Sequence, residues 1–268
     1  MHPGPMTRAG RCARPGAGIA ATEAGRRMTT TPEVFAERLS SIRTTLADQG
    51  EAVRTMADRA FESVYARDAD AARAVIHMDD SVDEADLAIE RAAVDLLAEA
   101  TRDGAALSHK QLRGVLTCVK VNNEMERIAD SASSVAESVV GLKDRTTPLP
   151  KTTRVMTNSV LGIIGDTVGC FRTLDAGKAK VVLASEGAVL SFASLILRDA
   201  EERVADGRMS VDLAFDLHEI TSQAVLMADH CTNIAEQVIF EATGAVVRHR
   251  EGAWVELPQP GRDGADGA

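Results

Sequence analysis

The distribution of proline constrains the fold of this 268-residue chain more than any other feature. Proline in a helix interior costs about 3 kcal/mol, so proline-free stretches mark where long helices are allowed. Two such stretches, 33–146 and 151–247, lie between the eight prolines, which are Pro3, Pro5, Pro15, Pro32, Pro148, Pro150, Pro258 and Pro260. Each stretch is long enough for several helices.

Short turn signals divide each proline-free stretch into three helical segments. Asp and Gly between apolar segments are typical of helix ends and the turns that follow them. Two such signals fall in each stretch: Arg67-Asp68, Asp103-Gly104, Leu174-Asp175 and Asp206-Gly207. The pattern predicts an all-α fold of two tandem three-helix bundles.

The two bundles are related by an internal repeat. Asp68-Ala69 and the residues after it match Asp175-Ala176 at an offset of 107 residues, and Ile128-Ala129-Asp130 matches Met227-Ala228-Asp229 at an offset of 99. The offset falls because the second hairpin is shorter. We therefore expect a first repeat at 31–147, a linker at 148–151, a second repeat at 152–247 and a flexible tail at 248–268.

Composition supports a helical core and argues against a nucleic-acid surface. Only eight residues are aromatic, which suits helix-on-helix packing better than a β-sandwich. The formal net charge of −10, from 40 acidic and 30 basic residues, favours cations or basic partners over nucleic acid.

Cysteine usage and hydropathy indicate a soluble, cytoplasmic protein. Cys12, Cys118, Cys170 and Cys231 form no CxxC pair, so isolated buried thiols in a reducing compartment are expected. The longest apolar run, Ala188–Leu197, is interrupted by serines and is shorter than the roughly 18 to 20 residues that cross a bilayer.

Residues 1–30 are arginine-rich but lack the apolar stretch of a secretory signal. An organellar transit peptide is one alternative; a disordered extension or a misassigned start codon is favoured. The first helix is expected soon after Met28, with either Thr30 and Glu33 as a capping box or Thr31 and Pro32 as an N-cap and first-turn proline.

The second helix carries an unusual line of carboxylates. At 100° per residue, Asp79, Asp83, Asp86 and Glu90 fall on one stripe, apart from the apolar stripe of the same helix. Like charges four residues apart repel by a few tenths of a kcal/mol, and no Lys or Arg lies on that line. A bound cation would relieve the repulsion, although acidic stripes are also common as plain solvated faces.

The third helix repeats the arrangement with Glu126 and Asp130, four residues apart. The pair lies beside Asn122, Ser133 and Glu137, whereas Lys120, Glu124, Arg127, Ser131 and Ser138 form an expected solvent face. Hard ions prefer such oxygen-rich surroundings, whereas zinc more often takes His or Cys. We expect a divalent or trivalent ion, which is iron, manganese, magnesium or zinc.

Three strings in the sequence are distinctive: Lys120–Asp130 with its Glu-Arg-Ile-Ala-Asp core, Ala228–Glu236 followed by Thr243-Gly244, and Met78–Asp83. Together they resemble the PhoU family, the accessory regulators of bacterial phosphate-specific transport. The resemblance covers roughly residues 33–247. It implies two three-helix bundles, multinuclear metal sites on Glu/Asp-x-x-x-Asp motifs, and contact with the transporter ATPase and the phosphate-sensing histidine kinase.

The family's metal motif is carried over unevenly. Asp79 with Asp83 and Glu126 with Asp130 match it in the first repeat. In the second repeat the matching positions keep only two acids, and we expect one metal site, in the first repeat, and an apolar packing seam in the second. Weaker candidates for metal ligands are Asp86, Glu90, Glu137, Glu186 and Asp229, while His230 is expected to be a hydrogen-bonded structural histidine and His77 to be exposed.

The functional expectation is a non-enzymatic, PhoU-like negative regulator of phosphate uptake and signalling. It would act by contact with the ATPase subunit and the sensor kinase, form a homodimer, and reach the membrane only through these partners. Two alternatives stay open: a carboxylate-bridged metalloenzyme or metal store, and a purely structural helical adaptor. The first usually adds a Glu-x-x-His ligand pair, which neither acidic stripe supplies.

Overall fold

The computed structural model describes residues 30–250 and 253–257. Six long helices are followed by a short antiparallel hairpin: α1 (Pro32–Ala66), α2 (Ala69–Arg102), α3 (His109–Gly141), α4 (Lys151–Thr173), α5 (Ala176–Ala205), α6 (Val211–Thr243), β1 (Val246–Arg250) and β2 (Ala253–Leu257). The predicted fold class, two tandem three-helix bundles, is confirmed. The extension predicted at 1–30 lies outside the described residues except for Thr30, as does Cys12.

The first turn of each bundle is built in the same way. Arg67 and Leu174 end α1 and α4 in the left-handed conformation, with φ of 54° and 52°. The next residue caps the following helix: the Asp68 and Asp175 carboxylates each accept two main-chain N–H bonds from its first turn. The matching geometry at positions 107 residues apart confirms the internal repeat.

The second turn is also repeated. Asp103 and Asp206 follow α2 and α5, and Gly104 and Gly207 supply the positive φ of 66° and 71° that reverses the chain. At the start of the fold, the Thr31 side chain accepts a bond from Val34 N, so the start with Thr31 and Pro32 is the correct one of the two predicted.

The bundles share one continuous core. Within each bundle the helices pack pairwise, and between bundles α3 lies along α6 and α1 packs on α4. Gly50 lies at a close approach of α1 to the second bundle, because a Cβ there would lie 2.8 Å from Val168 Cγ2. The largest fully buried side chains come from both bundles and include Phe35, Phe61 and Phe171.

This interface corrects one prediction about α3. Glu124 and Ser131 were placed on a solvent face, but Ser131 is buried and Glu124 is half-buried. The reason is tertiary: α6 covers the sector that an isolated bundle would leave open. His230 Nδ1 lies 2.8 Å from Glu124 Oε2 across this contact, which confirms a hydrogen-bonded histidine.

The end of the chain also differs from expectation. The second repeat was expected to run to 247 and a flexible tail to begin at 248, but α6 ends at Thr243 and the hairpin follows at once. Its register pairs Val246 with Leu257 and Arg248 with Val255. β-Branched Val at 246, 247 and 255 favours an extended backbone. The Arg248 guanidinium pairs with the Glu236 carboxylate and so ties β1 to α6.

Helix α5 departs from two predictions. Its expected apolar seam is not buried throughout, since Leu190 is 46% exposed, while Ala193 is buried. An 18-residue window of α5 has a mean hydropathy of 1.7 and passes the length and composition test for a membrane span, with 28% of it buried. Counting only uninterrupted runs missed this window, and core helices of soluble proteins pass the same test.

The three described cysteines, Cys118, Cys170 and Cys231, are free and buried as predicted, and burial raises the pKa of each thiol to about 12.

Candidate functional site

A group of six carboxylates lies where α2 and α3 adjoin, and we call it the acidic row. Helix periodicity places the α2 members in one sector, beside the stripe that buries Val75, Val82 and Ile89. Along the row, half-buried and exposed side chains alternate. The members are Asp79, Asp83, Asp86 and Glu90 on α2, with Glu126 and Asp130 on α3.

Electrostatic effects show that the two helices bring these carboxylates together. Burial raises the pKa of Glu126, and the charges of Asp130, Asp86 and Asp83 raise it further. Burial likewise raises the pKa of Asp79, opposed by the nearby Ser133 hydroxyl and reinforced first by Asp130 across the helix pair. Asp79 and Glu126 thus hold their protons more tightly than free carboxyls, as expected for partly buried groups beside like charges, and the nearby Arg127 offsets this only in part for Glu126.

Asp86 is held by a side chain that the sequence did not single out. Asn122 of α3 is fully buried, and its Nδ2 donates to Asp86 Oδ1 at 2.6 Å and to the Asp86 carbonyl at 3.0 Å. Burial and the charges of Glu90 and Asp83 raise the pKa of Asp86 against this hydrogen bond. Asn122 was placed in the correct sector, but its partner depends on the register between the helices.

Three buried oxygens in this region form no hydrogen bond of normal geometry, although the Ser133 hydroxyl lies close enough to the Asp79 carboxylate to lower its pKa. They are Asp79 Oδ1, Ser133 Oγ and Asn122 Oδ1. Leaving a buried polar atom unpaired costs roughly 1–3 kcal/mol, and all three are oxygen donors of the kind that hard cations accept. The donor set therefore fits magnesium, manganese or iron better than zinc.

The carboxylates do not converge on one point. Within residues 30–250 and 253–257, no group of three or more His, Cys, Asp or Glu side chains is arranged to hold an ion. The acidic row contains carboxylates, which are suitable metal ligands, and the unpaired Asp79 Oδ1. Its side chains do not form a complete coordination shell.

Comparison with known proteins identifies the fold family. The sequence model of the PhoU domain family matches residues 46–139 and again residues 153–238. The chain belongs to the PhoU family. The two matches coincide with the two three-helix bundles, each covering one repeat.

Curated PhoU relatives align along most of the chain. The Thermotoga maritima protein called "phosphate-specific transport system accessory protein PhoU homolog 1" is 28% identical over 209 residues, which are 77% of this chain and 86% of the relative. The Escherichia coli accessory protein PhoU is 23% identical over 230 residues, covering 85% and 93% of the two chains.

Solved PhoU structures have the same fold. The phosphate transport system regulatory protein PhoU from Streptococcus pneumoniae superposes with a TM-score of 0.74 at 20% identity and covers 80% of this chain and 100% of its own. PhoU from Pseudomonas aeruginosa gives 0.72 at 23% identity, with 78% and 99% covered.

The weaker candidate metal ligands lie in different parts of this PhoU fold. Glu90 belongs to the acidic row, and its charge raises the pKa of Asp86. Glu137 is exposed, about 10 Å further along α3 than Asp130. Glu186 lies on α5 and Asp229 on α6, both in the second bundle. The charge of Asp229 raises the pKa of Glu236, which is not part of the acidic row.

Proposed function

We propose that this chain is a regulatory accessory protein of phosphate-specific transport, which damps phosphate uptake and signalling. The observation that carries the proposal is the double PhoU match over both bundles, together with relatives named as accessory proteins of that transport system. We infer that the protein acts by binding the ATPase subunit of the phosphate transporter and the phosphate-sensing histidine kinase. In this role it is a cytoplasmic protein without catalytic activity.

We further propose that the first bundle holds a divalent or trivalent metal ion. Asp79, Asp83, Glu126 and Asp130 would supply the carboxylates, with Asp86 and Glu90 extending the site. The proposal is supported by the mutual repulsion across α2 and α3 and by the unpartnered Asp79 Oδ1. When bound, the ion would offset that charge and link the two helices.

The second bundle is proposed to bind protein rather than metal. Its counterparts of Asp83 and Asp86 are Leu190 and Ala193, so the ligand charge is lost there. The exposed apolar side chains of α5, including Val181, Leu190 and Leu195, favour a contact with another chain. A homodimer is proposed through this helix, and contact with the membrane would occur only through the transporter.

Co-purification with the transporter ATPase and the sensor kinase from the same organism tests the regulatory role. Tagged wild-type protein is expected to retain both partners. The variant Asp79→Asn with Glu126→Gln tests whether the metal region contributes, and Glu84→Gln with Asp95→Asn is the charge-matched control, because both control acids are exposed on α2 away from the row.

The outcomes separate the two proposals. Loss of partners only in the acidic-row variant supports both of them. If both variants retain the partners, the regulatory role is supported, but the metal region does not contribute to partner binding. If wild-type protein, with and without added manganese or iron, retains neither the ATPase nor the kinase, the regulatory proposal is wrong.

A further inference from the structure

A basic cleft lies where the first bundle passes into the second, and we call it the linker cleft. It has a volume of about 560 Å³. Its walls are the end of α1, the segment 145–150 and the first turn of α4, with Arg67, Arg145, Lys151 and Arg154 among the lining residues. Four cations around one cleft contrast with the formal net charge of −10 for the chain.

Three of the four cations lack a direct ion pair within the described residues. Arg67, Arg145 and Lys151 form no ion pair with any residue in the described part of the chain, whereas Arg154 pairs with Glu62 at 3.0 Å. Arg154 also stacks on Tyr65, with its guanidinium carbon 3.8 Å from the ring centroid. The walls of the cleft therefore carry four cations and no acid, and one guanidinium is fixed by stacking.

Hydrogen bonds hold the arginines in place. Arg67 donates from Nη1 to the Asp144 carbonyl at 3.2 Å and from Nη2 to the Thr147 carbonyl at 2.9 Å. Arg145 Nη1 donates to the Arg67 carbonyl at 2.8 Å. Ordered cations lose less freedom when they bind a ligand than mobile ones.

The internal repeat shows that the fold does not require an arginine at position 67. The corresponding residue of the second bundle is Leu174, which adopts nearly the same left-handed backbone, with φ of 52° against 54°. The turn can therefore form without the guanidinium of Arg67.

The nearest acid is already engaged. Asp144 Oδ1 accepts bonds from the main-chain N–H groups of Thr146 and Thr147, both at 3.0 Å, and from the Thr146 hydroxyl at 3.3 Å. The Thr147 hydroxyl and these main-chain bonds hold the pKa of Asp144 well below its usual range. Asp216 lies near Arg67, and Asp68 lies near Arg145. These acids offset charge from outside the cleft, because no acidic residue is among those that line it.

The first turn of α4 adds main-chain donors. The helix begins after Pro150, which has no side chain able to cap it. Unpaired N–H groups at a helix start favour anions through their direction and through the helix dipole. Lys151, the first residue of α4, is exposed and lies on the same cleft.

We propose that the linker cleft binds a small phosphate-bearing anion through Arg67, Arg145, Lys151 and Arg154. Arginine and lysine together with main-chain N–H groups are the usual partners of phosphate oxygens. A bound anion would contact α1, the linker and α4 at once, and so couple the two bundles. The inference does not depend on the metal site or on the regulatory partners.

Calorimetric titration of metal-free, full-length protein tests the proposal. The ligands are inorganic phosphate, AMP and vesicles containing phosphatidic acid, which separate a free anion, a phosphomonoester and a lipid headgroup. Arg145→Gln with Lys151→Gln is expected to weaken binding of the preferred ligand at least about tenfold, because two charge-assisted contacts are lost. Both side chains are exposed, so the fold should be retained.

Two further variants complete the test. Lys143→Gln is the matched control, since Lys143 is an exposed cation of the same segment that pairs with Asp212 and does not line the cleft. Arg67→Leu copies the residue of the second bundle and is expected to weaken binding while the helical circular dichroism is unchanged.

Wild-type protein that binds none of the three ligands up to about 10 mM, where affinity is negligible, contradicts the proposal. Equal binding by wild type, Arg145→Gln with Lys151→Gln, and Lys143→Gln contradicts it as well, because the affinity would then come from elsewhere on the surface.

Discussion

Asn122 on α3 donates two hydrogen bonds to Asp86 on α2, one to the side-chain Oδ1 at 2.6 Å and one to the main-chain carbonyl at 3.0 Å. A single buried amide thus fixes the register of the two helices that carry the acidic row.

Replacing this amide should destabilise the first bundle. Asn122→Ala removes both bonds and leaves Asp86 without its donor, and we expect the free energy of unfolding to fall by about 1–3 kcal/mol in denaturant titrations. Asn123→Ala is the control, because Asn123 is exposed on the same helix and its loss should change stability by less than about 0.5 kcal/mol. Equal effects of the two substitutions would contradict the assigned role.

Metal binding should stabilise the wild-type protein. Manganese, magnesium or iron at about 100 times its Kd is expected to raise Tm by about 5–10 °C, and a chelator should reverse the shift. Asp79→Asn with Glu126→Gln should abolish the shift, while Glu84→Gln with Asp95→Asn should retain it. A thermal shift of the same size in all three proteins would place the metal elsewhere.

The pH dependence of metal-free protein should report the acidic row. The pKa values of Asp79, Asp86 and Glu126 are raised above their ordinary values of 3.8 for Asp and 4.5 for Glu. A carboxyl with a higher pKa in the folded chain holds its proton more tightly there, so it favours folding at acid pH, and that contribution is lost as pH rises through the folded pKa.

Comparison of two proteins isolates this contribution, since other carboxyls, such as Glu124, have lowered pKa values and act in the opposite direction. As pH rises above the ordinary values of 3.8 for Asp and 4.5 for Glu and through the raised pKa values of the folded chain, wild-type stability should fall relative to that of Asp79→Asn with Glu126→Gln. The measurement is urea unfolding at each pH in chelator. If the free energy of unfolding of the two proteins changes with pH in parallel, the carboxylates of the acidic row do not destabilise one another.

Gly50 should be intolerant of a side chain. Gly50→Ala places a methyl group 2.8 Å from Val168 Cγ2 and 3.1 Å from Met125 Cε, and we expect a loss of about 1–3 kcal/mol. Gly162→Ala provides the contrast, because nothing lies within 4 Å of its Cβ position and alanine favours a helix by about 0.5–1 kcal/mol. Thermal unfolding of both variants tests the close approach of the bundles.

Sequence reasoning predicted the features that depend on local signals. The turns at Arg67-Asp68 and Asp206-Gly207 lie where helices end, because caps and positive φ are decided by a few adjacent residues. The acidic row followed from helix periodicity for the same reason.

Features that depend on contacts between bundles were predicted less well. Glu124 was placed on a solvent face because periodicity shows which residues share a sector but not which helix covers it. Leu190 was placed in a buried seam, yet it is 46% exposed, since no further helix of the described chain packs over that side of α5. The bonds from Asn122 to Asp86 require the offset between two helices, which one helix pattern does not contain.

The packing of α3 along α6 has a consequence for how the two repeats can change over time. Neither half covers its own apolar surface, so a gene fragment that encodes one repeat would yield a chain with an open core that is prone to aggregate. Duplication therefore leaves the copies physically dependent on each other, while their outer faces are free to diverge. The difference between Asp83 in the first copy and Leu190 in the second is of that kind.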